Sequence, residues 1–169
     1  MKITTKILSL LLVLLTTALL GCGGSQQPAE KKAEKPFRIV TSFYPMYLAT
    51  INITDGVDGV EVTNMTKPQT GCLHDYQLMT EDMKTLEHAD AFVINGAGME
   101  DFMDKVTGAQ KDMKIIDASR GIELIHDDEG DNPHVWLSVT DAITQVRNIA
   151  DQLKEADPAH ADTYEKNAA

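Results

Sequence analysis

Apolar and polar positions in this chain fall into short runs whose period switches between two and about 3.6 residues. The run Arg38-Ile-Val-Thr-Ser-Phe43 is β-branched and aromatic and predicts a strand, after which Pro45 opens a helix across Met46, Tyr47, Leu48 and Ile51. Val57 to Met65, with Val60 and Val62 alternating against Glu61 and Thr63, predicts a second strand that ends at the loop Thr66 to Gly71, with His74 just beyond. Thr80-Glu81-Asp82 reads as an N-cap followed by acids at the positive end of a helix whose apolar side carries Met83 and Leu86. Ala91 to Asn95 predicts a short buried strand, Gly96 and Gly98 a turn, and Met99 to about Val106 a helix. Met113 to Asp117 is the fourth strand. Ser138 and Asp141 form an S-x-x-D cap ahead of Ile143, Val146, Ile149, Ala150 and Leu153 at helical spacing, and Asp157-Pro158 starts a further helix with no closing signal before Ala169. Strands alternating with helices predict an α/β fold, a mainly parallel four-stranded sheet flanked by helices.

The ends divide the chain further. Lys2 and Lys6, the apolar run Ile7 to Leu20 and Gly21-Cys22 predict an export signal peptide over residues 1–21. That run is too short for a comfortable permanent membrane span. Its ending, Leu19-Leu20-Gly21-Cys22, resembles the lipobox of bacterial lipoproteins, which implies lipid on Cys22 and an exported protein anchored to the outer side of the cytoplasmic membrane. Residues 22–36 are then the lipidated cysteine and a flexible tether without large apolar residues. Residues 37–157 form one lobe, and 158–169 begin a helix inside which the chain is expected to be cut. Without Lys2 and Lys6, 13 basic residues face 26 acidic ones, so nucleic acid is excluded as a partner. The cysteines are Cys22 and Cys72, so lipid on the first excludes an internal disulfide.

Candidate chemistry rests on the histidines at 74, 88, 126, 134 and 160. They form no HExxH or close H-x-H pair, so local spacing declares no metal site. Topology is more informative, because His74 follows the second strand and His134 the fourth, and ligands gather at the carboxyl ends of parallel strands. Pro133 restricts the approach to His134. Trp136 is expected to pack beside that ring. His88, within a helix, and His160, in the first turn of the last one, read as surface residues. Gly96 and Gly98 lack the third glycine of a nucleotide fingerprint and read as turn chemistry.

Phe43-Tyr-Pro-Met46, Val60-Glu-Val-Thr63, His74-Asp-Tyr76, Leu86-Glu-His-Ala-Asp90 through Asn95-Gly-Ala-Gly98, and Pro133-His-Val-Trp136 occur in that order across residues 37–169. Together this set resembles the zinc/manganese solute-binding lipoproteins of ABC importers. The resemblance implies a two-lobed receptor joined by a long helix, with the metal held between the lobes. His74 and His134 would be the ligands of the first lobe, Pro158 would begin the inter-lobe helix, and the remaining ligands would belong to a second lobe missing here. It implies a binding protein rather than an enzyme, a monomer, Zn2+ as the transported ligand with Mn2+ as the alternative, and an ABC permease as partner. A zinc-bound imidazole usually donates its other N–H to an oriented acceptor, which is not legible in the sequence. Leu73 and Gln77-Leu78 stand where the family usually carries Pro and Glu-Pro. Cys72 reads first as a small buried hydrophobe, with accessory metal ligation as its second role. His126, with Asp127 to Glu129, reads as a solvated loop and an accessory metal position. Two other classes remain open: an adhesive surface lipoprotein with a structural metal, and an enzyme using Cys72 as nucleophile with His74 or His134 as base. The latter lacks an evident orienting group.

Overall fold

The computed structural model describes residues 35–67, 71–128 and 130–169. The expectations for the leader, Cys22 and nearly all of the tether lie outside the described residues. Four strands, β1 (Phe37–Thr41), β2 (Val60–Asn64), β3 (Ala91–Ile94) and β4 (Lys114–Asp117), pair in parallel in the order β2-β1-β3-β4. Ile39 lies between Val62 and Ala91, and Phe92 pairs with Ile115. Every residue of β3 is buried, as expected of a central parallel strand covered on both faces, whereas edge strand β2 alternates partly buried with exposed positions. The chain leaves β1 for β2 on one side and returns to β3 on the other. The carboxyl ends of β1 and β3 are therefore the switch point, where an open α/β sheet presents a crevice.

Helix α1 (Tyr44–Ile53) carries Pro45 in its first turn, where a missing N–H costs nothing, and buries Met46, Thr50 and Ile53. Helix α2 (Thr80–Glu87) begins one residue earlier than its predicted cap implies. Met79 is the N-cap, and its N–H donates to Asp82 Oδ2 at 2.7 Å, so the acid, not Thr80, terminates the helix. His88 follows α2 as an exposed C-cap instead of lying within it. Helix α3 (Met103–Ala109) starts later than predicted: residues 99–102 are not helical, because the Glu100 carboxylate folds back onto the backbone N–H groups of Asn95 and Gly96. The cap of α4 (Val139–Ala156) is as predicted, with Ser138 Oγ accepting from the Asp141 N–H at 3.4 Å. Its Ile149 and Leu153 are fully buried in the core with Ile39, Phe92 and Ile116.

Pro158 opens a single 3-10 turn (Pro158–His160) before α5 (Ala161–Asn167). Asp157 Oδ2 holds this junction, accepting from Tyr164 Oη at 2.6 Å and lying 2.7 Å from His160 Nδ1. His160 is therefore partly buried and paired, not a plain surface residue. Residues read as a loop form a hairpin of β5 (His126–Asp127) and β6 (Gly130–Asp131), whose two-residue strands are too short to leave a periodic signal. Among the described residues no helix is long and apolar enough to cross a membrane.

Candidate metal centre

The carboxyl ends of β1 and β3 carry polar residues where the strands themselves are apolar. Ser42 and Asn95 are fully buried there, and Glu100 is 5% exposed. The Glu100 carboxylate accepts from Ser42 Oγ at 2.8 Å, the Asn95 N–H at 2.8 Å and the Gly96 N–H at 3.0 Å. Burial pushes its pKa up, and these donors pull against that by favouring the anion. Gly96 sits at φ +78°, and any Cβ there would collide with the Asp117 carboxylate, so only glycine fits.

Asn95 connects this buried cluster to the loop bearing His134. Its Nδ2 donates to Pro133 O at 2.9 Å, while its Oδ1 accepts from Gln145 Nε2 at 2.9 Å and its backbone carbonyl from Ser119 Oγ at 2.6 Å. The residue immediately before His134 is thus tied to the end of the most buried strand. Asn132 then orients the ring: its Oδ1 accepts from the His134 N–H at 3.1 Å and lies 2.8 Å from Nδ1. A carbonyl oxygen can only accept, so Nδ1 carries the proton and the Nε2 lone pair is left for another partner. Trp136 packs beside the ring at 5.1 Å between centroids and is itself met edge-on by Phe43 at 5.0 Å.

His74 reaches the same place by another route. Leu73 is fully buried, and its N–H points to Met99 Sδ at 3.4 Å. Tyr76 closes the turn with an N–H to Leu73 O at 3.0 Å, sets its ring edge-on to Phe102, and donates its hydroxyl to Asp82. Burial first, then the Asp82 contact, pushes the Tyr76 phenol up to about 12. Between these two anchors His74 lies with its ring centroid 5.5 Å from that of His134. The apolar side chain at 73 explains how the loop is fixed where proline was expected. Among the described residues His74 makes no side-chain hydrogen bond.

The two sequence-predicted histidines are therefore brought together. Cys72 is also brought to them, and it is exposed rather than the small buried hydrophobe expected, with Sγ 3.0 Å from His134 Nε2. His126 is not brought in. It is exposed on the hairpin with Nδ1 3.0 Å from Asp131 Oδ1, and does not line the cleft of about 310 Å³ that Glu123, Asn132, His134 and Asp141 help to form. Among the described residues no three His, Cys, Asp or Glu side chains already stand together as a metal-binding group. Sequence reasoning missed Asn132, Asn95 and Glu100. The signal for Asn95 was available, a polar residue closing an apolar central strand, and that for Asn132 lay in its place two residues before His134.

The family described as zinc-uptake complex component A, periplasmic, abbreviated ZnuA, matches residues 39–169. The chain belongs to the ZnuA family. The iron-binding protein YfeA of Yersinia pestis is 35% identical over 139 residues, covering 79% of this chain and 44% of YfeA. The high-affinity zinc uptake system protein ZnuA of Bacillus subtilis is 32% identical over 169 residues, covering 87% of this chain and 51% of that protein. A solved structure, a mutant of the manganese-bound periplasmic metal binding protein from Candidatus Liberibacter asiaticus, superposes with a TM-score of 0.70 at 33% identity, covering 78% of this chain and 49% of that one. This member of the ZnuA family thus spans about half the length of the curated relatives it matches. Its four-stranded parallel sheet with flanking helices corresponds to one lobe of a two-lobe fold. Those relatives are named for zinc, manganese and iron, so their names agree on a metal and differ in which one.

Proposed function

We propose that this protein is an extracytoplasmic solute-binding protein that captures a divalent transition metal, Zn2+ before Mn2+, for an ABC importer, and that His74 and His134 are the ligands its lobe supplies. The observation carrying this reading is the preset tautomer of His134: Asn132 Oδ1 accepts from Nδ1–H, which leaves the Nε2 lone pair available on a ring whose centroid lies 5.5 Å from that of His74. Neutral imidazole nitrogen suits Zn2+, and an orienting acceptor on the far nitrogen raises ligand basicity. Two imidazoles make half of a four-ligand shell, so a closed capture site needs further donors besides this pair.

The test is zinc titration by calorimetry of the protein and of His74→Ala and His134→Ala. Each substitution is expected to lower affinity by roughly tenfold or more, and this lobe alone to bind more weakly than a two-lobed protein containing it. Unchanged affinity in both variants would remove the pair from the reading. The reading extends to the leader, with Cys22 lipidated as the outward membrane anchor. A mature protein whose mass shows no acyl group on Cys22 would remove that part.

A further inference from the structure

Three observations converge on one nitrogen. Asn132 occupies Nδ1 of His134 and leaves Nε2 as its only lone pair. Cys72 Sγ stands 3.0 Å from that Nε2. The His74 ring lies against the same imidazole, and with the intervening Leu73 driven fully into the core, Cys72 is left exposed and His74 partly buried beside it. We propose that Cys72 is a third metal donor of this lobe, making a mixed sulfur and nitrogen site with His74 and His134 that favours Zn2+ over Mn2+. The inference rests on the proposed capture of a metal by the histidine pair.

Geometry makes the step small. A zinc-bound thiolate at about 2.3 Å and an imidazole nitrogen at about 2.0 Å, set at a tetrahedral angle, stand about 3.5 Å apart. The observed 3.0 Å contact therefore has to open by roughly half an ångström for an ion to enter between sulfur and nitrogen. The ion takes the place of the thiol proton, which passes to water, and no oxidation or reduction is involved. Exposure of Cys72 leaves the sulfur reachable from solvent, as capture requires. His74, with no hydrogen bond among the described residues to hold its ring, can complete the set by rotating, which accounts for three donors that adjoin without already forming a closed group. Thiolate is a soft ligand that Zn2+ accepts readily, whereas Mn2+ prefers carboxylate, carbonyl and water, so the third donor bears on which metal is retained.

The experiment is Co2+ titration of the purified protein alongside Cys72→Ser and Cys72→Ala, followed by Zn2+ and Mn2+ competition. A thiolate-to-cobalt charge-transfer band in the near ultraviolet should rise together with the visible ligand-field bands in the parent protein and be absent from both variants. Zinc affinity should fall roughly tenfold or more in the variants while manganese affinity stays within about threefold. Zinc should also slow iodoacetamide labelling of Cys72 in the unsubstituted protein, a readout that survives if a variant does not fold. Ligand-field bands without the charge-transfer band, or labelling of Cys72 at the same rate with and without zinc, would overturn the thiolate and leave the histidine pair standing. Failure of cobalt and zinc to bind the parent protein at all would overturn both.

Discussion

The two loops that meet at the site are held by opposite physical means. His134 is positioned by a chain of hydrogen bonds that runs from Asn132 and Pro133 through Asn95 to Glu100, all anchored on the end of β3. His74 is positioned by apolar burial, with Leu73 inserted into the core and Tyr76 packed on Phe102, while its own ring is unbonded among the described residues. Directional bonds set both the place and the rotation of a ring, whereas burial of a neighbour fixes only the place. One imidazole is thus preset and the other adjustable, a division that suits a site whose remaining donors arrive later.

The contrast can be broken most strongly at Leu73. Leu73→Ala leaves a cavity under the His74 turn and should lower unfolding free energy by about 2–5 kcal/mol, read by urea denaturation with circular dichroism. A loss under about 1 kcal/mol would mean that burial is not what holds that loop. The next effect separates orientation from stability. Asn132→Ala frees the His134 ring to turn and should weaken zinc binding by about 10–100-fold while leaving the urea midpoint nearly unchanged. Equal zinc affinity in parent and variant would show that the Asn132 contact does not preset the ring.

The smallest effect is a slope with pH. Burial raises the Glu100 pKa above its ordinary value of 4.5. The folded chain then keeps this proton to higher pH than the unfolded chain, so the stability linked to Glu100 is complete below the ordinary carboxyl range and declines as pH rises through the raised folded value. Glu100→Gln should flatten that decline in urea midpoints measured across the acidic range, although Asp117, also raised by burial, keeps part of it. Superimposable pH profiles would mean that the Ser42, Asn95 and Gly96 donors fully offset the burial of the carboxylate.

How far each part was legible follows from the range of the forces involved. The apolar run Ala91 to Ile94 and the Ser138 cap are local signals and read directly as β3 and the start of α4. The start of α3 is displaced because Glu100 turns its side chain back to the Asn95 and Gly96 N–H groups and also accepts from Ser42, and the last of these is a tertiary contact that helix periodicity does not register. The cap of α2 moved to Met79 for a similar reason, since Asp82 serves both that N–H and the Tyr76 hydroxyl. Strand topology alone places His74 and His134 at one end of the sheet, yet the ring acceptor Asn132 depends on the shape of one loop. Cys72 is exposed where its residue type predicts burial, because a cysteine's average burial says nothing of a turn in which Leu73 takes the inward place.

The bond from Asn95 to Pro133 has a consequence on the scale of local unfolding. An exposed loop ordinarily opens with little free energy, independently of the core beneath it. Here the approach to His134 is tied to Asn95, a fully buried residue directly after the fully buried central strand, so releasing the loop at Pro133 first requires breaking a hydrogen bond made inside the core. The persistence of the His134 geometry is thereby coupled to the slow, cooperative opening of the sheet and not to the fast fraying of a surface turn.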